Sequence, residues 1–337
     1  MQRRAHLFAP LLLALVFAVL APTDTLGAQD TATRTLGIAT LAPAGSLITD
    51  GLQAWNRELR RRTGGSLQFR IYAGGVQGDD PEVVRKIRSG RLDGGTLTST
   101  GLAQIYRPAL VFQLPATFLQ YEQLDAARAA LQPEIDAGIV AAGFRMLGWS
   151  DVGQARLFSS RRIARPSELA GAHLWQRDDD VILPAFVSRV GATGVEMAVP
   201  EVLGGLQTGR VDTFLAPPAV AIALQWSSHA TYVNEIPMSI IIGGMVISES
   251  TFQSLTEDQR TALLETGEQF HQLGRRNSRR MERQSMTALE EHGLQVTTTT
   301  EAERGEWRAI GRQVRDAVAS QIASPDLVAR AVAFGEH

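Results

Sequence analysis

The sequence predicts an α/β protein of two lobes with a long bridging helix. Residues 35–99 alternate short apolar strands with amphipathic helices, the rhythm of a parallel sheet with helices on its faces. A second, smaller cycle of the same kind runs from Ala172 to Leu215. Residues 256–292 then read as one helix without proline; roughly 36 residues at ~1.5 Å each give about 54 Å, more than the width of one small lobe. A chain of 337 residues has room for two such lobes.

Taken in order, Thr35–Leu41 is the first buried strand. A helix from about Ser46 to Arg62 follows, with Leu47, Leu52, Trp55 and Leu59 at helical spacing. Gly64 and Gly65 end it, and Leu67–Tyr72 alternates as a second strand. Asp80-Pro81 opens the next helix with a cap and a first-turn proline, and a third strand lies near Gly95–Ser99. Helical sequence from about Tyr121 to Ala142, interrupted at Pro133, leads to a strand at Arg145–Trp149. The second cycle has strands at Ala172–Gln176, Gly194–Ala198 and Thr213–Leu215, and helices at Val181–Val190 and Glu201–Thr208. Ile240–Ile247 is an apolar strand positioned to return to the first sheet. Thr256-Glu-Asp-Gln259 is a capping box at the start of the long helix. The arginines of that helix (Arg275, Arg276, Arg279, Arg280, Arg283), interspersed with Asn277 and Glu282, read as a solvated face. The expected division is residues 29–154 plus about 242–270 for the first lobe, and 155–241 plus about 271–337 for the second.

Residues 1–28 read as a cleaved export leader. Arg3 and Arg4 precede an apolar run from Leu7 to about Pro22, and small residues follow at Gly27 and Ala28. The run is shorter than the ~20 apolar residues that span a bilayer. Cleavage near Ala28 and a periplasmic destination are expected.

Composition excludes several chemistries. There is no cysteine, hence no disulfide framework, zinc ribbon, iron–sulfur cluster or thiol nucleophile. A net charge of −2 offers no basic field for nucleic acid. Lys86 is the only lysine, a compositional bias that deprives any single arginine of diagnostic value. His173, His229, His271 and His292 are isolated, and none forms a helical zinc pair. Asp178-Asp179-Asp180 precedes a helix and reads as its cap. Gly74-Gly75-Val-Gln-Gly78 lacks the lysine and hydroxyl of a nucleotide loop, and Gly148-Trp-Ser150-Asp-Val-Gly153 has the wrong spacing for a nucleophile elbow. No nucleophile–base set stands out, so no enzyme activity, cofactor or metal is expected.

Several stretches, in register over nearly the whole chain after residue 28, carry a resemblance. They include Ile71-Tyr72-Ala-Gly-Gly-Val-Gln-Gly78, Glu82-Val-Val-Arg-Lys-Ile-Arg-Ser-Gly90 and Leu92-Asp93. Next come Phe112-Gln-Leu-Pro115, Arg165-Pro-Ser-Glu-Leu-Ala-Gly171, Gly191-Ala192 and Pro200-Glu201-Val. Leu206-Gln-Thr-Gly-Arg-Val-Asp212, Ile247-Ser248 and Leu255-Thr-Glu-Asp-Gln-Arg-Thr-Ala-Leu-Leu264 complete the set. In these the chain resembles the periplasmic solute-binding subunits of tripartite ATP-independent (TRAP) transporters. The resemblance implies a two-lobed periplasmic binding protein fold that closes on a ligand, and membrane permease subunits that receive that ligand.

The departures from the family pattern shape the expected site. Typical members hold a substrate carboxylate with an arginine in a Lys-Ile-Arg-Val-like stretch. Here the stretch is Ala172-His-Leu-Trp175-Gln176, and Trp175 stands in the arginine's place. A second family arginine falls on Ala155, next to Arg156, and the family's Asp-Gly-Gln-Glu-Asn-Pro becomes Asp212-Thr-Phe-Leu-Ala-Pro217, with Ala216 for asparagine. The expected cleft is therefore apolar and takes a hydrophobic or weakly polar small molecule. Trp175, Phe214, Leu215 and Ala216 are the expected walls from the second lobe, with Trp149 on the hinge side. Gln154, Arg156, Gln176 and Ser99 are the expected polar contacts. Two alternatives stay open: a carboxylate receptor that uses Arg156 or Arg177 instead, and a periplasmic adaptor or sensor that keeps the fold without transport.

Overall fold

The computed structural model describes residues 33–335. The expected leader lies outside them. No helix among the described residues is long and apolar enough to cross a membrane.

The first lobe begins as the periodicity dictates. β1 (Arg34–Thr40), α1 (Leu47–Arg62), β2 (Leu67–Tyr72), α2 (Asp80–Arg88) and β3 (Gly94–Thr98) alternate, and β1 pairs in parallel with both β2 and β3. α3 (Ser99–Ile105) and α4 (Tyr121–Ala141) follow. α4 runs through Pro133 without the expected interruption. Pro133 is on the helix's exposed side, where the carbonyl left without its N–H partner is open to solvent.

The expected strand at Arg145–Trp149 is in fact a sixteen-residue strand, β4 (Phe144–Ser159). After it come β5 (His173–Gln176), α5 (Ile182–Val190), β6 (Thr193–Glu196), α6 (Val202–Gln207), β7 (Thr213–Ala216), α7 (Pro218–Ala223), β8 (Tyr232–Asn234) and β9 (Ser239–Ser248). β4 and β9 pair antiparallel from Phe144↔Ser248 to Ala155↔Ser239. At one end β9 also pairs with β3, and at the other β4 pairs with β7 and β8. The two strands thus belong to both lobes and form the hinge. β4 is irregular at Met146/Gly148 and at Asp151/Gly153. Gly153 has φ +138°, and a Cβ there would lie 2.9 Å from the Pro217 ring, so both conformation and space require glycine.

α8 (Glu249–Ser254) leads to α9 (Glu257–Glu291), opened by the expected capping box: Gln259 N–H donates to Thr256 Oγ1 at 3.3 Å, and Gln259 Oε1 accepts from Thr256 N–H at 3.1 Å. Ala262 and Leu263 of α9 pack with Leu36, Ile38 and Trp55 of the first lobe, whereas Leu289 packs with Trp226 and Val233 of the second. One helix therefore serves two cores. Its arginines are not all solvated. Arg279 forms a bidentate pair with Asp125 at 2.7 Å and also reaches the fully buried Asp151, while Arg275 donates to the Trp149 carbonyl at 2.9 Å. These contacts fasten the middle of α9 to the hinge.

β10 (Gln295–Thr297) pairs with β8, and α10 (Glu301–Ile322) and α11 (Pro325–Ala333) end the chain. α10 is a second bridge. Trp307 and Val314 pack under the second lobe with Leu157 and Phe186, but Val318, Ile322, Leu327 and Ala331 pack in the first with Leu110 and Phe112. The tail returns to the first lobe, a turn that its amphipathic pattern alone does not reveal.

Candidate functional site

The lobes enclose a cavity of about 1410 Å³. Its floor is the hinge, with Ser150, Asp151, Val152 and Ala155 from β4 and Ile241, Gly243 and Gly244 from β9. One wall comes from the turn after β1 and the start of α3; the other comes from the ends of β5 and β7 and from α7.

Four of the expected site residues line it: Trp175, Leu215, Ala216 and Ser99. Trp175 is 7% exposed; its indole N–H donates to the Met197 carbonyl at 3.0 Å, and its ring meets Trp226 edge-on at 5.1 Å. It is a core residue with one side on the cavity. Ala155 lines the cavity as well, so the three positions at which the sequence departs from the family pattern, Trp175, Ala155 and Ala216, all lie on the lining.

The other five expected residues lie elsewhere. Gln154 and Arg156 flank Ala155, and strand alternation turns both to the other face of β4. Gln154 donates to the Leu119 carbonyl at 3.2 Å; Arg156 donates to the Glu235 carbonyl and lies 3.8 Å from Glu282. Gln176 is turned away from Trp175 by the same alternation, and its amide donates to Glu196 at 3.2 Å. Phe214 is fully buried, stacked on Phe158 at 4.9 Å, behind the wall that its neighbours form. Trp149 belongs to the first lobe's core, edge-on to Phe112 at 5.2 Å, with its N–H on Asp136 at 2.9 Å.

Three parts of the lining were not foreseen: the first turn of α1, the helix α7, and Ile236–Met238 before β9. Leu47 was read as part of the apolar stripe of α1, but it is 47% exposed and faces the cavity. The adjacent Ile48 carried the signal, since two consecutive helical residues cannot both belong to one narrow stripe.

The arginines lining the cavity are each paired with a carboxylate. Arg177 lines it, but its guanidinium grips Asp179 at 2.8 and 2.9 Å within the second lobe and Asp79 at 3.0 Å across from it. Asp79 also accepts the Val199 N–H at 2.9 Å, a second bond between lobes. Burial works against the Arg177 charge, yet the hydrogen bond to Asp179 and the charges of Asp80 and Asp79 hold its pKa above the ordinary value. Beneath this pair, Asp80 is buried and its carboxyl is pushed up to about 6 by desolvation, against the pull of Arg177 and Thr98. Asp180 Oδ1 accepts the Ile182 N–H at 2.7 Å, the helix-start role expected of the aspartate run. The remaining arginines on the lining, Arg304 and Arg308, pair with Glu235 at 2.9 Å and Glu301 at 2.5 Å. Behind the floor, His271 bonds Ser150 at 2.9 Å, and burial lowers its pKa to about 3, so its ring is neutral.

Comparison with known proteins fits this architecture. A solute-binding protein of Sulfitobacter sp. strain NAS-14.1 is 23% identical over 294 residues, 84% of this chain and 88% of that one. The sugar acid binding protein of Advenella mimigardefordensis, solved with galactonate, superposes with a TM-score of 0.85 at 17% identity, over 90% of this chain and 98% of that one. A TRAP periplasmic solute-binding protein of Ralstonia eutropha, solved with (S)-2-acetolactate, gives 0.84 at 22% identity, over 90% and 98%. Residues 38–321 match the bacterial extracellular solute-binding proteins of family 7, and with the hinge, the two lobes and the bridging helix in place, the chain belongs to that family of TRAP-type solute receptors.

Proposed function

We propose that this protein is a periplasmic receptor whose interlobe cleft takes a hydrophobic or weakly polar small molecule and passes it to TRAP-type permease subunits in the membrane. The observation that carries the reading is the lining itself: Trp175, Ala155 and Ala216 face the cavity, and each arginine on it pairs with a carboxylate of the protein. A carboxylate entering this cleft meets no unpaired cation among the described residues and loses its hydration, a penalty of several kcal/mol. An apolar ligand gains roughly 25 cal/mol for each Å² that it buries. The reading assigns no catalytic role to any residue, and it divides the lobes at the crossings of β4 and β9 near Gln154 and Ile242, with the last two turns of α10 and α11 assigned to the first lobe.

A second reading, a carboxylate receptor that uses Arg177, draws on one observation: Arg177 does line the cavity, and the solved relatives hold acids such as galactonate. Arg156, by contrast, is not on the lining. Mass spectrometry of small molecules extracted from the purified protein, with calorimetric titration of succinate and galactonate, decides between them. An apolar or weakly polar co-purifying compound and no heat from either acid support the first reading. Micromolar affinity for a simple acid overturns it.

A further inference from the structure

Six large apolar residues are markedly exposed among the described residues: Leu47, Ile48, Val76, Ile222, Leu264 and Leu273. Four of them, Leu47, Ile48, Ile222 and Leu273, line the one interlobe cavity. They come from three separate elements that converge on the middle of α9. α1 packs there through Trp55, stacked on Phe270 at 5.0 Å, and Gly51 allows the close approach, since a Cβ would lie 2.9 Å from the Phe270 ring. α7 packs against α9 from the second lobe. A mouth lined by leucine and isoleucine is costly to leave in water, although Asp50 of α1 and Asn277 and Ser278 of α9 share the lining with it. The cavity is also larger than the 300–1,000 Å³ usual for a compact ligand.

Resting on the apolar-cleft reading above, we propose that the ligand is a long-chain amphiphile with an uncharged, hydroxyl-bearing head. Its hydrocarbon chain runs out of the cleft between α1, α7 and α9, across Leu47, Ile48, Ile222 and Leu273. The head lies against Ser99, Thr96 and Thr40, which put hydroxyls on the lining (Thr96 donates to Thr40 at 2.6 Å), and no unpaired cation awaits a carboxylate there. The chain, not the head, sets the affinity, because each methylene that enters an apolar channel is worth about fourfold in binding.

The test uses monoacylglycerols with acyl chains of 8, 10, 12 and 14 carbons, kept below their micelle concentrations and titrated into the purified protein by tryptophan fluorescence. The dissociation constant should fall by tenfold or more for each added pair of carbons. The free fatty acid of equal length should bind at least tenfold more weakly. The double variant Leu47→Ser/Ile48→Ser, and independently Ile222→Ser, should weaken the 14-carbon compound tenfold or more and leave the 8-carbon compound and the melting temperature unchanged. Equal affinity along the series, or equal loss of all lengths in the variants, overturns the chain-exit proposal and leaves the apolar cleft standing. A fatty acid that binds as tightly as its monoacylglycerol overturns the uncharged head. No binding of any monoacylglycerol, with micromolar binding of succinate or galactonate, overturns both this inference and the reading on which it rests; no binding of anything overturns the inference alone.

Discussion

Replacing Trp175 by alanine is expected to damage folding and binding together. The ring is packed among Val195, Met197 and Val202 and edge-on to Trp226 at 5.1 Å, with only its cavity side free. Truncating a buried tryptophan costs about 3–5 kcal/mol, and the Met197 carbonyl, deprived of its donor at 3.0 Å, adds about 1 kcal/mol. In a chain of this length each kcal/mol lowers the melting temperature by roughly 2 °C, so the variant should melt roughly 8–12 °C below the parent. The lost wall should weaken an apolar ligand by a further ~1–3 kcal/mol, or about fivefold to 150-fold. Trp175→Phe, which keeps much of the ring and loses the hydrogen bond, should recover more than half of both deficits. The assay is a melting curve of each ligand-free variant beside a titration with the co-purifying compound. An unchanged melting temperature would show that the residue is not built into the core as described. A lowered one with unchanged affinity in the folded fraction would remove it from the cleft.

Asp79→Asn leaves one oxygen where two served, Oδ1 for the Asp80 N–H and Arg177 and Oδ2 for the Val199 N–H, so it removes the charge and at least one of the bonds between lobes; small-angle scattering of the ligand-free protein should report a larger radius of gyration, and superimposable curves would count against Asp79 as a closure contact. Asp80 has a folded pKa of about 6 against 3.8, so its folded form holds a proton more tightly than the unfolded chain does. Its contribution to stability is therefore greatest below about pH 4 and declines as the pH rises through about 6, leaving a cost of roughly 3 kcal/mol at neutral pH. Asp80→Asn, fixed in the uncharged shape, should gain on the parent in urea melts as pH rises from 4 to 7, and a constant difference would refute the assignment. Gly153→Ala puts a side chain at φ +138° and 2.9 Å from Pro217, and it should cost about 1–3 kcal/mol in urea denaturation; a cost under about 0.5 kcal/mol would show that the hinge bends to accept it.

Much of this architecture is written in local pattern. The strand–helix alternation of residues 35–99 and the capping box at Thr256 depend on nearby residues, and both appear where the sequence puts them. β4 was truncated in the reading because Ser150–Gly153 interrupts its apolar run with polar residues and glycine. Those same residues form the bulge and the cavity floor, so the interruption marks the hinge and not the end of a strand. The site was legible to the extent that alternation could be counted from a single anchored residue. Alternation separates Trp175 from Gln176 and Ala155 from Gln154 and Arg156, but it does not decide the lining alone: the consecutive residues Leu215 and Ala216 both line the cavity, and Ala216 is the cross-strand partner of Arg156. What could not be read is the partner of each charge. Nothing local connects Arg177 with Asp79, 98 positions earlier, and only the packing of α2 against the second lobe brings them together.

That long-range pair changes how closure works. The family resemblance implies an arginine that holds a substrate carboxylate in typical members. Here the corresponding positions are Trp175, Ala155 and Ala216, and a neutral ligand supplies no ionic bond. The bonds that cross between the lobes belong to the protein: Arg177 to Asp79, and the Val199 N–H to the same carboxylate. A buried ion pair recovers little more than the hydration it gives up, because desolvation offsets most of the attraction. Its hydrogen-bond geometry, however, is satisfied only when the lobes meet in one alignment. The pair therefore fixes the closed position without supplying the energy to reach it. With the apolar ligand proposed above, the energy would come from apolar surface that the ligand and the cleft walls remove from water, which is proportional to area and indifferent to direction. On the proposed reading, alignment and affinity fall to different residues: Arg177, Asp79 and Asp179 set where the lobes stop, and Trp175, Leu215 and Ala216 help set what is bound.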